Sequence, residues 1–195
     1  MGFDYLNGLN WKDVTRDERY FCAELYFEIK QDTLAFVKWL KENKVTPISD
    51  EEMKAEWEIG FEVCFYRDYI IKYGDDTGEK SIRNSKYSQK RTFDLCLFSP
   101  NRIIVIEAKA QQGFETTQNE EFRKDISDML TVLKKEANNF SVSVIALASS
   151  SYYTNVEKFG KGFPDIFAGK FSWKDIHDSY CRRTVFDYAD KSYKN

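Results

Sequence analysis

Arg91-Thr-Phe-Asp-Leu-Cys-Leu-Phe-Ser-Pro-Asn-Arg-Ile-Ile-Val-Ile-Glu-Ala-Lys-Ala-Gln111 is the stretch on which the reading of the fold turns. From Ile103 to Gln111 the odd positions hold Ile103, Val105, Glu107, Lys109 and Gln111, and the even ones hold Ile104, Ile106, Ala108 and Ala110. Side chains of period two share one face of a strand, so Glu107, Lys109 and Gln111 project together and the opposite face is wholly apolar. The continuous run Ile103 to Ile106 is what a strand covered on both sides of its sheet looks like. Three polar groups therefore stand at the end of a strand whose start is buried.

Phe93 to Phe98 supplies a second strand, and Ser99-Pro100-Asn101-Arg102 is turn chemistry with the proline placed to start the reversal. With Pro100-Asn101 at the tip, Ser99 pairs with Arg102, Phe98 with Ile103, and counting outward Asp94 falls opposite Glu107. Like charges facing each other across a ladder destabilise it unless a cation sits between them. A divalent ion with oxygen ligands meets that need, and Lys109 on the same face offsets the remaining charge or orients water. Left to themselves, Glu107 and Lys109 also fit a structural ion-pair network with Asp94 capped by a backbone donor.

An Asp, a spacer of twelve residues and then Glu-Ala-Lys at the end of an Ile/Val strand resembles the PD-(D/E)XK nuclease superfamily, also called restriction-endonuclease-like. The resemblance implies an α/β (α+β) restriction-endonuclease-like core in the order αβββαβ, a mixed four-stranded or slightly larger sheet flanked by helices. It implies Asp94 and Glu107 as ligands of Mg²⁺, with Mn²⁺ as a substitute, the Ala108 carbonyl as a further ligand, and Lys109 as the group that positions the attacking water. It also implies a glutamate on the first helix reaching the metal. Glu24 fits that position best, ahead of Glu28, Glu18 and Glu62; a carboxylate paired with a nearby Arg or Tyr for structural reasons fits Glu24 equally. Phe93 stands where the first proline of the family motif would be.

The 195 residues and 23.0 kDa suit one domain over 1–195. Aromatic residues at 16% and hydrophobic residues at 42% indicate a packed core. A net charge of −3 and a pI near 5.4 do not advertise nucleic-acid binding, so a basic surface would have to be local. Cys22, Cys64, Cys96 and Cys181 are widely spaced without a CxxC motif and read as reduced thiols; with His177 the lone histidine, a zinc site is disfavoured. No apolar run reaches membrane-spanning length, and Met1-Gly-Phe-Asp-Tyr lacks the pattern of a secretion signal, so a cytoplasmic protein is expected.

Thr15-Arg-Asp-Glu18 has the form of a capping box, and a long helix, or two joined near Gln31-Asp32, is expected from there to about Asn43. Trp57 to Ile71 is aromatic and β-branched and predicts the first strand, at an edge of the sheet. Between Lys80 and Arg91 lie Lys80, Arg83, Lys86, Lys90 and Arg91 with no acidic residue, a run placed to contact phosphates, with Tyr87 available to stack on a base. A solvated loop without specific partners explains the same run. Glu120 to Asn138 predicts a helix, Val142 to Leu147 a buried strand, and Ser172-Trp-Lys-Asp175 and Thr184-Val-Phe-Asp187 two N-capped terminal helices. His177 in the first of these is expected to be structural or exposed.

The expected function is a metal-dependent nuclease acting on DNA in preference to RNA, with Asp94, Glu107, Lys109, Glu24 and Gln111 at the active site. A homodimer is compatible with cutting both strands. The alternative is a nuclease-like module that binds nucleic acid or protein without cleaving.

Overall fold

A computed structural model describes residues 2–10, 17–77, 83, 86–135, 139–155 and 164–193. The protein is α/β, with a five-stranded mixed open sheet of order β1-β2-β3-β4-β5 flanked by helices. Strands β1 (Glu58–Val63), β2 (Phe93–Ser99) and β3 (Arg102–Ala108) form an antiparallel meander, and β4 (Ser141–Ala148) and β5 (Gly169–Ser172) continue the sheet in parallel. The hairpin has the expected register, from Ser99↔Arg102 through Phe98↔Ile103 to Leu95↔Ile106. One step further sets Asp94 level with Glu107.

Helices α1 (Asp17–Gln31) and α2 (Thr33–Glu42) are separate, because Asp32 leaves helical geometry and its side chain caps α2 through the Ala35 N–H at 2.9 Å. They cover one face of the sheet, where Phe21, Leu25, Ile29, Phe36 and Leu40 pack on Leu95, Leu97, Ile104, Ile106 and Leu147. Helices α3 (Phe65–Thr77) and α4 (Gln118–Leu133) cover the other, where Tyr66, Ile70, Phe122 and Met129 pack on Cys96, Ile103, Val105 and Val144. The period of two in β3 thus feeds two cores, and Glu107 continues the Ile103–Val105 series toward the α3/α4 side.

Several sequence expectations are corrected. The predicted strand Trp57–Ile71 is a strand only over Glu58–Val63, at the sheet edge, and Phe65–Thr77 is helix. Aromatic and β-branched residues favour strands locally, but Phe65, Tyr66, Tyr69, Ile70 and Tyr73 recur at helical spacing, and Tyr66 and Ile70 are buried. Helix α4 stops at Leu133 because Lys134 turns left-handed (φ 52) and the Lys135 N–H reaches back to the Leu130 carbonyl. Residues 136–138 lie outside the described set, as does the start of the Thr15–Glu18 box. The Ser172–Asp175 capping box is present, but its helix spans only Trp173–Asp175 before widening into the π-helical Ile176–Cys181. Thr184 is not a cap: Arg183 holds that position without a side-chain bond, and α6 runs from Thr184 to Lys191. (A further short helix, α5, is Ser150–Thr154.)

Strand β5 was not expected. It follows the close approach of Gly169 to Val45, whose carbonyl oxygen would lie 1.6 Å from any Cβ placed there. Among the described residues, no helix is long and apolar enough to cross a membrane.

Candidate active site

Charged groups gather where β2 begins and β3 ends. The Ala108 N–H donates to Asp94 Oδ2 at 2.8 Å, which fixes that carboxylate against the opposite strand. Glu107 is 7% exposed, and its Oε2 is buried with no hydrogen-bond partner. An unpartnered buried carboxylate oxygen is costly, since a charge in a low-dielectric setting demands compensation. Lys109 supplies part of it: its Nζ is 2.9 Å from the Ala108 carbonyl, 3.4 Å from Glu18 Oε1 and 3.8 Å from Glu107 Oε1. The Lys109 backbone is held as well, its N–H on the Leu147 carbonyl at 2.8 Å and its carbonyl accepting from Trp173 Nε1 at 3.0 Å.

The electrostatics follow from burial. Glu107 is pushed up to about 8, first by desolvation and then by the Asp94 charge. Asp94 rises to about 6, again chiefly by desolvation, with the Lys109 charge and the Ala108 N–H pulling the other way. Burial works against the Lys109 ammonium, yet Glu107, Glu18 and Asp94 together hold its pKa above the ordinary value. The two carboxylates repel, and the pair titrates as a unit.

Glu24 is elsewhere. Its carboxylate meets Arg183 Nη2 at 2.5 Å, and Glu28 takes Nη1 of the same guanidinium at 2.5 Å, so both belong to a clamp between α1 and the entry to α6. The α1 carboxylate that reaches the sheet end is Glu18, which also accepts the Ala110 N–H at 3.1 Å. The periodicity carried that signal: Glu18, Cys22, Leu25 and Ile29 form one stripe, and the last three are buried. A further acidic residue also went unassigned. Strand β1 pairs Phe61 with Leu95 and Val63 with Phe93, which puts Glu62 level with Asp94. Glu62 adopts φ 50 inside a strand and its carboxylate meets Arg19 Nε at 3.2 Å. A left-handed glutamate costs on the order of 1 kcal/mol, and such strain is commonly found at functional sites.

Gln111 is exposed beyond the end of β3 at Ala108, so the alternation that placed it beside Lys109 has already stopped. Of the basic run, Lys80 lies outside the described residues, and Arg83, Lys86 and Lys90 are exposed. Arg91 instead points inward. Its Nε donates to Asp125 Oδ2 at 2.8 Å, with Nη2 2.7 Å from the same oxygen; its guanidinium lies over the Phe93 and Phe122 rings, and Asp125 Oδ1 accepts from the Tyr66 hydroxyl at 3.0 Å. Tyr87 is 6% exposed and stacked on Tyr66, so its ring is already covered. Together with Lys86 and Lys124 these groups line a cavity of about 440 Å³ on the α3/α4 side. A cavity of about 650 Å³ lies at the other end of β3, around Arg102. Neither is lined by Asp94, Glu107 or Lys109.

Among the described residues, no three His, Cys, Asp or Glu side chains converge closely enough to hold a metal by themselves. The donors that are at hand, the Asp94, Glu107 and Glu18 carboxylates and the Ala108 carbonyl, are hard oxygens of the kind that suit Mg²⁺ and Mn²⁺. The orphaned Glu107 Oε2 is the one among them that a cation would satisfy. No family model, curated protein or solved structure matches the chain.

Proposed function

We propose that this chain is a metal-dependent nuclease hydrolysing phosphodiester bonds, in DNA in preference to RNA, on a restriction-endonuclease-like core forming one domain. The observation that carries the proposal is the buried Glu107 carboxylate, with one oxygen unpartnered, set level with Asp94 and beside the Lys109 ammonium. Packing alone gives no reason to bury Glu107 between a half-buried Asp94 and Lys109 at the open end of a hairpin. The element order supports the core assignment: helices, then β1, β2 and β3, then α4, then β4, with α3 inserted and β5 added.

Asp94, Glu107 and the Ala108 carbonyl would hold the divalent ion, with Glu18 in the role first expected of Glu24. When bound, such an ion neutralises a scissile phosphate and acidifies a coordinated water. The chain's own contribution is positional. The Ala108 N–H fixes the Asp94 carboxylate, so that carboxylate enters the reaction already oriented. Lys109, anchored through both of its backbone groups, places an ammonium beside the carboxylates, where it can orient the attacking water and counter the charge developing on the phosphate.

Incubating single- and double-stranded DNA and RNA with Mg²⁺ or Mn²⁺ tests this, with Lys109→Ala alongside the wild type. Metal-dependent cleavage that falls by roughly 100-fold or more in the variant is expected. Equal, metal-independent background from both proteins would sink the proposal. The triple engagement of Lys109, with Asp94 capped by the Ala108 N–H, favours a second reading, in which the charges are a structural ion-pair network. Absence of Mn²⁺ binding, with greater stability of Glu107→Gln, would support that one.

A further inference from the structure

We propose that the Lys109 ammonium is a built-in placeholder for the divalent ion, filling its position in the ion-free protein and leaving it when the ion enters. The inference rests on the metal-site reading above and adds how that site is gated. Around Nζ stand the Ala108 carbonyl at 2.9 Å, Glu18 Oε1 at 3.4 Å and Glu107 Oε1 at 3.8 Å. These belong to three of the four groups assigned to the ion, the Asp94 carboxylate being the fourth. An ammonium has three donors and a single charge, so it can bridge them and balance part of their charge. It cannot remain among them beside a dication, because two cations at contact distance repel strongly in a buried site.

Lys109 has the means to move. Its side chain is a flexible four-carbon stem with 17% exposure, and Nζ already lies within 5.8 Å of the Phe114 ring, which favours a cation on that side. Phe114 is itself fixed, 3% exposed and packed against Phe167 and Tyr152. The Lys109 backbone would stay in place throughout, since both of its polar groups are bonded to neighbouring elements. Ion entry and lysine release are then one event, and the freed ammonium becomes available to water and phosphate only when the ion is present.

Calorimetric titration with Mn²⁺ compares the wild type with Lys109→Met, which keeps the length and removes the charge. The variant is expected to bind Mn²⁺ more tightly, by ~10-fold or more, because it no longer carries the competing cation. Equal or weaker binding by the variant overturns the placeholder and leaves the metal site standing; no binding by either protein removes both. Reductive methylation of the wild type, read by mass spectrometry, is independent of how the variant folds. Lys109 should be modified several-fold faster with Mn²⁺ than in EDTA, and an unchanged or slower rate overturns the proposal.

Discussion

In the ion-free protein, Glu107→Gln should flatten the dependence of stability on pH. The Glu107 carboxyl is held at about 8, by burial and then by Asp94, against about 4.3 for an exposed glutamate in the unfolded chain. A folded pKa above the unfolded one means that the native state binds the proton more tightly across that window. The stability it contributes is complete below the unfolded pKa and is lost as pH rises toward 8. The slope for one such group is about 1.4 kcal/mol per pH unit, so raising pH from about 5.5 to about 7.5 should cost the wild type on the order of 2–3 kcal/mol. Asp94, raised to about 6, adds a share at the acid end. In the variant the Glu107 slope is gone, and only the smaller Asp94 share remains, because Glu107 is still protonated over the range in which Asp94 titrates. Urea unfolding in EDTA at a series of pH values measures both curves, with less than about 1 kcal/mol of loss expected for the variant over the same interval. Parallel curves would refute the claim that burial and Asp94 hold Glu107 protonated. Saturating Mg²⁺ should flatten the wild-type curve too, because an ion bound to the native state favours the ionised carboxylates.

Glu18→Gln should weaken Mn²⁺ binding by about 10-fold, whereas Glu24→Gln should leave it within about twofold; calorimetry of both variants checks the assignment, and the opposite ranking would return the α1 ligand to Glu24. Arg91→Met would leave Asp125, 8% exposed, buried without its cation. A loss of roughly 3 kcal/mol is expected in urea unfolding, and a loss below about 1 kcal/mol would mean that the Arg91–Asp125 fork contributes little.

Local rules were enough for the hairpin. Alternation in Ile103–Lys109 and a turn at Pro100-Asn101 leave little choice of register, because a slip of one residue would turn Glu107 to the opposite face of the sheet and away from Asp94. They were also enough for the two-helix start, since Asp32 both ends one helix and caps the next. They failed at Phe65–Thr77, where residue preferences favoured a strand and packing against α4 favoured a helix. They failed again at β5, four residues long, which exists because β4 offers a parallel edge and Gly169 lets Val45 approach.

For the site, the chain alone named Asp94, Glu107 and Lys109, since one strand period and one turn bring them together. On α1 it put Glu24 first, although the stripe through Cys22, Leu25 and Ile29 pointed to Glu18. Which of Glu18, Glu24 and Glu28 meets the sheet depends on how the helix is rotated against β1–β3, and the apolar stripe of the whole helix, together with Arg183 from far along the chain, sets that rotation. It could not tell which cations of Lys80–Arg91 face outward: Arg91 turns inward because Asp125 lies across from it on α4. Neighbours along the chain fix what a strand presents, and only the packing of distant elements decides which charge answers it.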